Sequence, residues 1–273
     1  MKIPKTYKLF IGGKFPRTES GRILEIRDDK GQLIANAALA SRKDFREAVV
    51  AARKAAGGWA DATAYLKGQI LYRIAEVLQG RRSQFVEELT ERGLKDAGAD
   101  VDAAIDLLVH YAGWSDKFQA LFSSVNPVAS SHFNFSAPSP TGVVGVIAPS
   151  APGLAGLVSA IAPVIVGGNS CVVLSGLSAI SFAEVLATSD VPAGVINILT
   201  GNRVELIPEF AKHMDVNALL LCSDDSGDHR LAELEASENL KRVSLQADQV
   251  LTPSPYHILD FQEVKTTWHP IGV

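Results

Sequence analysis

The chain has 273 residues, of which 47% are hydrophobic and 21% are charged. This composition is typical of a globular protein with a sizeable core, and the length favours two lobes over one. The formal net charge of −4 gives none of the basic character that nucleic acid or an anionic membrane would attract. We therefore expect no nucleic-acid and no membrane partner.

Cysteine and histidine usage indicates the compartment and argues against a metal site. Cys171 and Cys222 cannot form a disulfide framework, and the opening residues lack the long apolar run of a signal peptide. We therefore expect a cytoplasmic protein. The six histidines are scattered and no His/Cys cluster has metal-ligand spacing, so no metal site is predicted.

The amino-terminal half is predicted to begin with strands and continue with helices. Residues 9–11 form the first predicted strand, and residues 23–27 and 33–38 form a hairpin. Ser41 is a predicted N-cap for a helix reaching about Ala56. Apolar residues at helical spacing then predict three further helices, around residues 70–78, 85–92 and 101–112.

From residue 141 onward the pattern is that of a parallel sheet. Short continuous apolar runs alternate with helical segments, and the runs cover residues 143–147, 171–174, 195–199, 218–221 and 242–245. Such runs are expected where both faces of a strand are covered. Residues 118–183 contain no charged side chain, but their many prolines break the run into pieces too short to span a membrane. They are predicted to be buried α/β core.

Six segments resemble motifs of the aldehyde dehydrogenase superfamily, in the family's order. They are residues 9–15 (LFIGGKF), 142–149 (GVVGVIAP), 161–163 with 167–170 (IAP and GGNS), 191–201 (VPAGVINILTG), 213–216 (HMDV) and 260–268 (DFQEVKTTW). The resemblance implies an α/β fold with a Rossmann-like, five-stranded, mostly parallel sheet. It also implies an N-terminal helical layer and a small antiparallel oligomerisation flap.

The resemblance also implies a domain arrangement in which one part is absent. Residues 1–124 and 142–250 correspond to the NAD-binding-like domain, and residues 125–141 and 251–273 to the flap. Family members carry a catalytic domain, with its nucleophilic cysteine, between the NAD-binding domain and the closing flap strand. Here residues 247–255 lead almost directly from one to the other. The chain resembles the second, non-catalytic unit of the tandem branch called family 16.

Several positions that the family uses for chemistry carry unsuitable residues. The asparagine that donates to the oxyanion corresponds to Ala151, and loss of one such donor costs about 10²–10³ in rate. The lysine and glutamate that bind the adenosine ribose correspond to Leu174 and Leu177. The general-base glutamate corresponds to Gln246, which cannot accept a proton at neutral pH. We predict no catalytic residue.

The family's pyrophosphate loop corresponds here to an acidic segment. Asp224 and Asp225 stand where nucleotide phosphates would meet a helix N-terminus. Carboxylates are good helix caps, but they repel a pyrophosphate by roughly 1 kcal/mol per charge pair in water and about 4 at a partly buried site. No cofactor is expected, beyond weak binding of NAD or NADP. The vestigial cofactor-binding positions are Pro149, Ser150, Gly201, Cys222 and Ser223.

Other functions for some of these residues were weighed against structural ones. Cys222 lies between a predicted strand and helix, where a thiol pKa can be depressed, but the adjacent acids would raise it again. Cys171 is expected to pack in the core. Gly145, Gly168 and Gly201 are expected to serve turns and close strand–helix approach, not phosphate contact.

Three classes of function remain open from the sequence. The first is a non-catalytic homologue acting as a structural or regulatory subunit, partnering a full-length aldehyde dehydrogenase or forming a homodimer through the flap. Phe261, Val264 and Trp268 are the expected contact residues. The second is a module that binds a nucleotide or another small ligand. The third is an NAD(P)-dependent aldehyde oxidoreductase completed by a partner's catalytic domain.

Overall fold

The computed structural model describes residues 5–27, 31–151, 153–176 and 178–272. Its first elements are β1 (Lys5–Tyr7), β2 (Ile23–Arg27), β3 (Leu33–Ala38), α1 (Arg42–Ala60), α2 (Ala64–Gly80), α3 (Arg82–Glu91), α4 (Ala97–Trp114) and α5 (Phe118–Phe122). The middle elements are β4 (Ser124–Asn126), β5 (His132–Pro140), β6 (Val143–Ile147), α6 (Leu154–Val166), β7 (Ser170–Leu174) and α7 (Ser178–Leu186). The remaining elements are β8 (Ile196–Leu199), α8 (Arg203–Lys212), β9 (Ala218–Cys222), α9 (Ser226–Ser237), β10 (Arg242–Gln246), α10 (Tyr256–Leu259) and β11 (Gln262–Pro270).

The amino-terminal strands form a small sheet in the order β1-β3-β2. The predicted hairpin of β2 and β3 is confirmed as an antiparallel pair, with an irregularity between Ile26 and Arg27. The predicted strand at residues 9–11 is wrong, because Phe10 forms only an isolated bridge to Ile198 of the main sheet. The cap of α1 is confirmed: the Ser41 side chain accepts from the Asp44 amide, and Asp44 accepts in return.

The main sheet has five parallel strands in the order β10-β9-β6-β7-β8. Strands β6, β7, β8 and β9 are buried along their whole length, as the continuous apolar runs predicted. Successive residues of each strand join two different hydrophobic clusters, one with α2, α4, α6 and α7 and the other with α1 and α8. The sheet is therefore covered by helices on both faces. Among the described residues, no helix is long and apolar enough to cross a membrane.

The flap is a second antiparallel sheet in the order β11-β5-β4. Strand β11 pairs with β5 over nine residues, from Gln262 opposite Pro140 to Pro270 opposite His132. The expected antiparallel flap is present, with its strands drawn from residues 125–141 and 251–273; within the second segment residues 256–259 form the short helix α10. Phe261 was expected to be a contact residue on the flap surface, and this prediction is wrong. Phe261 is 1% exposed and packs in the main core.

Buried polar side chains join the flap to the main sheet. The Asn169 Oδ1 accepts from the Gly142 amide at 2.9 Å, and its Nδ2 donates to the Phe261 carbonyl at 3.0 Å. Arg242 of β10 donates to the Gln262 carbonyl at 2.6 Å and forms an ion pair with Glu263 at 3.1 Å. These contacts fix the start of β11 at the carboxyl-terminal end of β5.

Gly145 sits where β6 and α8 come closest. A Cβ at this position would lie 2.8 Å from Cδ1 of the buried Phe210 ring and 3.3 Å from Leu219 Cδ1. Gly201 has a similar role, since its Cβ would lie 2.7 Å from Leu206 Cδ1. Gly168 has a φ of +87° and makes the turn before β7. The expected roles of these three glycines, in turns and close approach, are confirmed.

We predict that Gly145→Ala destabilises the protein by about 1–3 kcal/mol, because the added methyl group overpacks a rigid part of the core. Gly57 in α1 is the matched control, since a Cβ there meets nothing within 4 Å. Gly57→Ala is expected to stabilise by about 0.5–1 kcal/mol through lower backbone entropy in the unfolded chain. Urea unfolding of both variants measures the two effects. Equal stability of Gly145→Ala and the parent chain would contradict the close approach.

Candidate functional site: the crevice at the carboxyl ends of the parallel strands

The loops that follow the parallel strands surround a small cavity. Parallel sheets of this kind bind ligands at the carboxyl ends of their strands, where the strand order reverses. A cavity of about 180 Å³ lies at the carboxyl ends of β6, β7 and β8. Its lining residues are Leu24, Ala148, Pro149, Ser150, Leu174, Ser175, Gly176, Thr200, Gly201 and Arg203. The predicted positions Pro149, Ser150 and Gly201 thus come together. Cys222 and Ser223 are not part of the lining; they lie buried at the end of β9.

Ser150 is bound by a carboxylate from another loop. Its backbone N–H donates to Asp248 Oδ1 at 2.6 Å, and its hydroxyl donates to Asp248 Oδ2. The Asp248 amide in turn donates to Asp224 Oδ1 at 3.1 Å. The loops after β6, β9 and β10 are therefore tied to one another across the crevice. The role of Asp248 could not be predicted from local patterns.

The N-terminus of α9 is occupied by the chain's own acids. Asp225 is its N-cap and accepts from the Gly227 amide at 2.7 Å. The Ser223 hydroxyl donates to Asp228 Oδ2 in the first turn at 2.9 Å. The expectation that this helix start is capped from within is confirmed for Asp225. Because the partial positive charge of the helix start already faces carboxylates, a phosphate would meet like charge there.

A carboxylate also meets the N-terminus of α6, the helix that follows the loop at residues 148–153. Asp100 Oδ2, from α4, accepts from the Leu154 amide at 2.6 Å and from the Ala155 amide at 3.3 Å. The N-cap residue Gly153 has no side chain of its own to supply this bond. Sequence reasoning missed Asp100, because it lies 54 residues before its partner.

One cation lines the cavity. Arg203, at the start of α8, donates from Nη2 to the Cys222 carbonyl. Its Nε is buried and has no hydrogen-bond partner in the described part of the chain. This arginine was not identified from the sequence. It places positive charge in the cavity lining, next to the end of β9.

The positions equivalent to the family's ribose and catalytic groups show no replacement chemistry. Leu174 presents a buried apolar side chain to the cavity, and Leu177 lies outside the described residues. Ala151 is exposed at the end of the loop. The side-chain amide of Gln246 contacts the Ser244 hydroxyl at 3.4 Å. Within the described ranges, no group of three or more His, Cys, Asp or Glu side chains could hold a metal ion.

Both thiols are buried. Burial raises the pKa of Cys222 to about 12; Asp248 raises it further, while Arg203 opposes the shift. Burial also raises the pKa of Cys171. The acid that raises the pKa of Cys222 is Asp248, not the adjacent Asp224 and Asp225 from which the effect was expected, and burial is the larger cause. A thiol held in this protonated state is a poor nucleophile.

The sheet, its helical layers and the crevice define a Rossmann-like α/β protein. The chain belongs to the aldehyde dehydrogenase family, whose model matches residues 15–248. It is 31% identical over 263 residues to cytosolic 10-formyltetrahydrofolate dehydrogenase of Pongo abelii, covering 90% of this chain and 28% of that protein. It is 30% identical to mitochondrial benzaldehyde dehydrogenase of Antirrhinum majus, covering 88% of this chain and 46% of that protein.

Solved structures show the same fold over the same part of the chain. Betaine aldehyde dehydrogenase from Staphylococcus aureus, solved with NAD+, matches with a TM-score of 0.82 at 22% identity, covering 88% of this chain and 50% of that chain. PnpE in complex with nicotinamide adenine dinucleotide matches with a TM-score of 0.83 at 24% identity, covering 88% and 50%. The chain thus covers half of these structures and less than half of the curated relatives named above.

We predict that both thiols react very slowly with Ellman's reagent in the native state. With a pKa of about 12 for Cys222, the thiolate fraction near pH 8 is roughly a thousandfold lower than for an ordinary cysteine. The rate should rise about tenfold per pH unit and should not level off near the usual thiol pKa. Guanidinium-unfolded protein is the control, since both thiols should then react at once. A rapid native reaction that is lost in Cys222→Ser would contradict the buried environment.

Proposed function

We propose that this chain is a non-catalytic aldehyde dehydrogenase homologue that serves as a structural or regulatory subunit of a full-length aldehyde dehydrogenase. In this assignment residues 1–124 and 142–250 form an NAD-binding-like body, and residues 125–141 and 251–273 form the flap that meets the partner. The observation that carries the proposal is the bond from Asp248 to Ser150, which ties down the loop of the would-be active site.

The charge arrangement of the crevice supports the same proposal. Two helix N-termini that border it are occupied by Asp100 and by Asp225 with Asp228. The cavity that remains is about 180 Å³, below the roughly 300–1,000 Å³ of pockets that hold drug-sized ligands. A dinucleotide would therefore need both the Asp248 bond broken and the acidic loop moved. We propose no resident cofactor.

The link between the two sheets supports the non-catalytic assignment as well. Residues 247–261 alone connect β10 to β11. The homologous dehydrogenases are about twice as long as the matched region. The isolated chain is accordingly expected not to oxidise aldehydes with NAD or NADP. The alternative is that a partner's catalytic domain completes an active enzyme. That alternative requires aldehyde turnover by the complex to be observed.

A second candidate function, binding of a small ligand, is favoured by Arg203. Among the described residues its buried Nε has no hydrogen-bond partner, and its side chain lines the cavity beside the hydroxyl-bearing residues Ser175 and Thr200. A cavity of this size suits a small anion better than a nucleotide. Calorimetry with NAD, described below, distinguishes a small-anion site from a nucleotide site, because a small-anion site would give no binding signal with NAD.

The flap is the surface that we assign to the partner. Val264 and Trp268 are 64% and 57% exposed on β11, while Phe261 belongs to the core. Strand β11 also lies at the edge of its sheet. Exposed, partly apolar edge strands are normally covered, and addition of a strand from another sheet is the direct way to cover them.

We predict that NAD and NADP bind with a dissociation constant well above the micromolar range. The cause is repulsion by Asp224 and Asp225 together with the closed Ser150 loop. Asp224→Ser combined with Asp225→Thr should tighten binding about tenfold or more, because threonine still caps α9 while two charges are removed. Isothermal calorimetry at low salt is the measurement. Asp106→Ser combined with Asp116→Ser, at two exposed positions outside the cavity lining, removes the same two charges; it is the matched control and should change nothing. Micromolar binding by the parent chain would refute the proposal for the crevice.

We predict that the chain co-purifies with a full-length aldehyde dehydrogenase encoded by the same genome when the two are co-expressed. Trp268→Ser should weaken the complex by at least about tenfold, since removal of a central interface aromatic typically costs about 2 kcal/mol or more. Gly57→Ala, in helix α1, is the control and should bind normally. Light scattering of the mixture measures complex formation. Absence of a complex with each such dehydrogenase, or aldehyde turnover by the isolated chain, would overturn the proposed function.

A further inference from the structure

The outer edge of β11 has hydrogen-bonding groups at definite positions. At the start of the β5 pairing the Thr141 amide donates to the Phe261 carbonyl at 3.3 Å, and at its end the Ile271 amide donates to the Ser131 carbonyl at 3.0 Å. Backbone groups alternate in direction along a strand. Odd-numbered residues of β11 therefore face β5, and even-numbered residues face outward. Within the described part of the chain no strand pairs with that outward edge.

At the two ends of this edge, some backbone groups cannot bond a partner strand. The Gln262 carbonyl already accepts from Arg242 at 2.6 Å, and Pro270 has no N–H to offer. Three outward residues remain with both groups available: Val264, Thr266 and Trp268. They are evenly spaced around Thr266, so the edge is symmetric about that residue.

We propose that β11 pairs antiparallel with β11 of a second copy, across a twofold axis at Thr266. Each of the three outward residues then forms a hydrogen-bonded pair: Thr266 with Thr266 of the second copy, and Val264 with Trp268 of the second copy, once in each direction. Three N–H donors from each of two copies make six hydrogen bonds. The two flaps become one continuous sheet.

Side chains favour this register over its neighbours. Val264 faces Trp268, an aromatic and β-branched pair of the kind that stabilises sheets. Lys265 faces Thr267 and Glu263 faces His269, so no like charges are opposed. A register centred on Lys265 would place two lysines face to face. A register centred on Thr267 would oppose Val264 to Pro270, which cannot donate. Only the register at Thr266 pairs all nine residues of the strand.

The dimer uses the edge that the proposed function offers to a dehydrogenase. In that respect it rests on the proposed function, although the pairing itself needs only the exposed edge. The two associations exclude each other, because one strand edge accepts one partner strand. The free chain is therefore a homodimer, which must dissociate before one copy binds a dehydrogenase.

Disulfide trapping tests the register. Hydrogen-bonded residues on antiparallel strands have Cα atoms about 5.5 Å apart, within reach of a disulfide. Thr266→Cys should therefore form a covalent dimer under mild oxidation, while Lys265→Cys, displaced from the axis, should form it at least about tenfold more slowly. The native Cys171 and Cys222 are buried and do not interfere. Equal cross-linking of the two variants would overturn the register.

Solution mass measurements test the dimer. The parent chain should be a dimer by light scattering, and Val264→Pro, which removes an outward N–H from each copy, should raise its dissociation constant at least about tenfold. Thr267→Glu places a carboxylate opposite Lys265 of the second copy, so it should strengthen the dimer. This second variant keeps the test valid even if Val264→Pro fails to fold. A monomeric parent chain at millimolar concentration would overturn the inference, and dehydrogenase binding would still decide the proposed function separately. A dimer whose dissociation constant is unchanged by both substitutions would also overturn the inference.

Discussion

The side-chain amide of Asn169 holds the flap and the main sheet together. Its oxygen accepts from the Gly142 amide and the Thr141 hydroxyl, where β5 passes into β6, and its nitrogen donates to the carbonyls of Val164 and Phe261. A buried amide has about this many hydrogen bonds to make, and an unpaired one would be costly. One residue thus links the end of α6, the start of the main sheet and the entry to β11. The flap keeps its place although β5 and β11 are far apart in the chain.

In the crevice, the interaction that would stabilise a bound anion stabilises carboxylate side chains of the protein instead. The start of a helix stabilises an anion whether that anion is a phosphate or a side chain of the protein. Here Asp100 serves α6 and Asp225 serves α9. Asp248 goes further and joins the loops to each other through Ser150. The strands and helices therefore surround a crevice in which the N-termini of α6 and α9 already bond carboxylates of the protein.

Local patterns in the sequence were sufficient for most of the fold. The buried strands could be predicted because continuous apolar runs have few other uses, and the Ser41 and Asp225 caps because capping acts within three residues. Residues 9–11 look like a strand, but Phe10 only bridges to Ile198. Pairing between distant segments could not be predicted in this way. Asp248, for example, is 98 residues from Ser150.

The pairing of β5 with β11 also has a consequence for synthesis. Pro140 lies opposite Gln262, so well over a hundred residues are made after β5 leaves the ribosome and before its partner appears. During that interval β5 has only the short strand β4 beside it, and the other edge of β5 is open to any extended segment nearby. Long-range strand pairs of this kind form slowly and expose chains to misassembly while they wait. Pro138 and Pro140 lie opposite even-numbered residues of β11, so their missing N–H groups fall on the β4 side of β5, beyond the residues that β4 pairs, where they discourage the addition of a wrong strand.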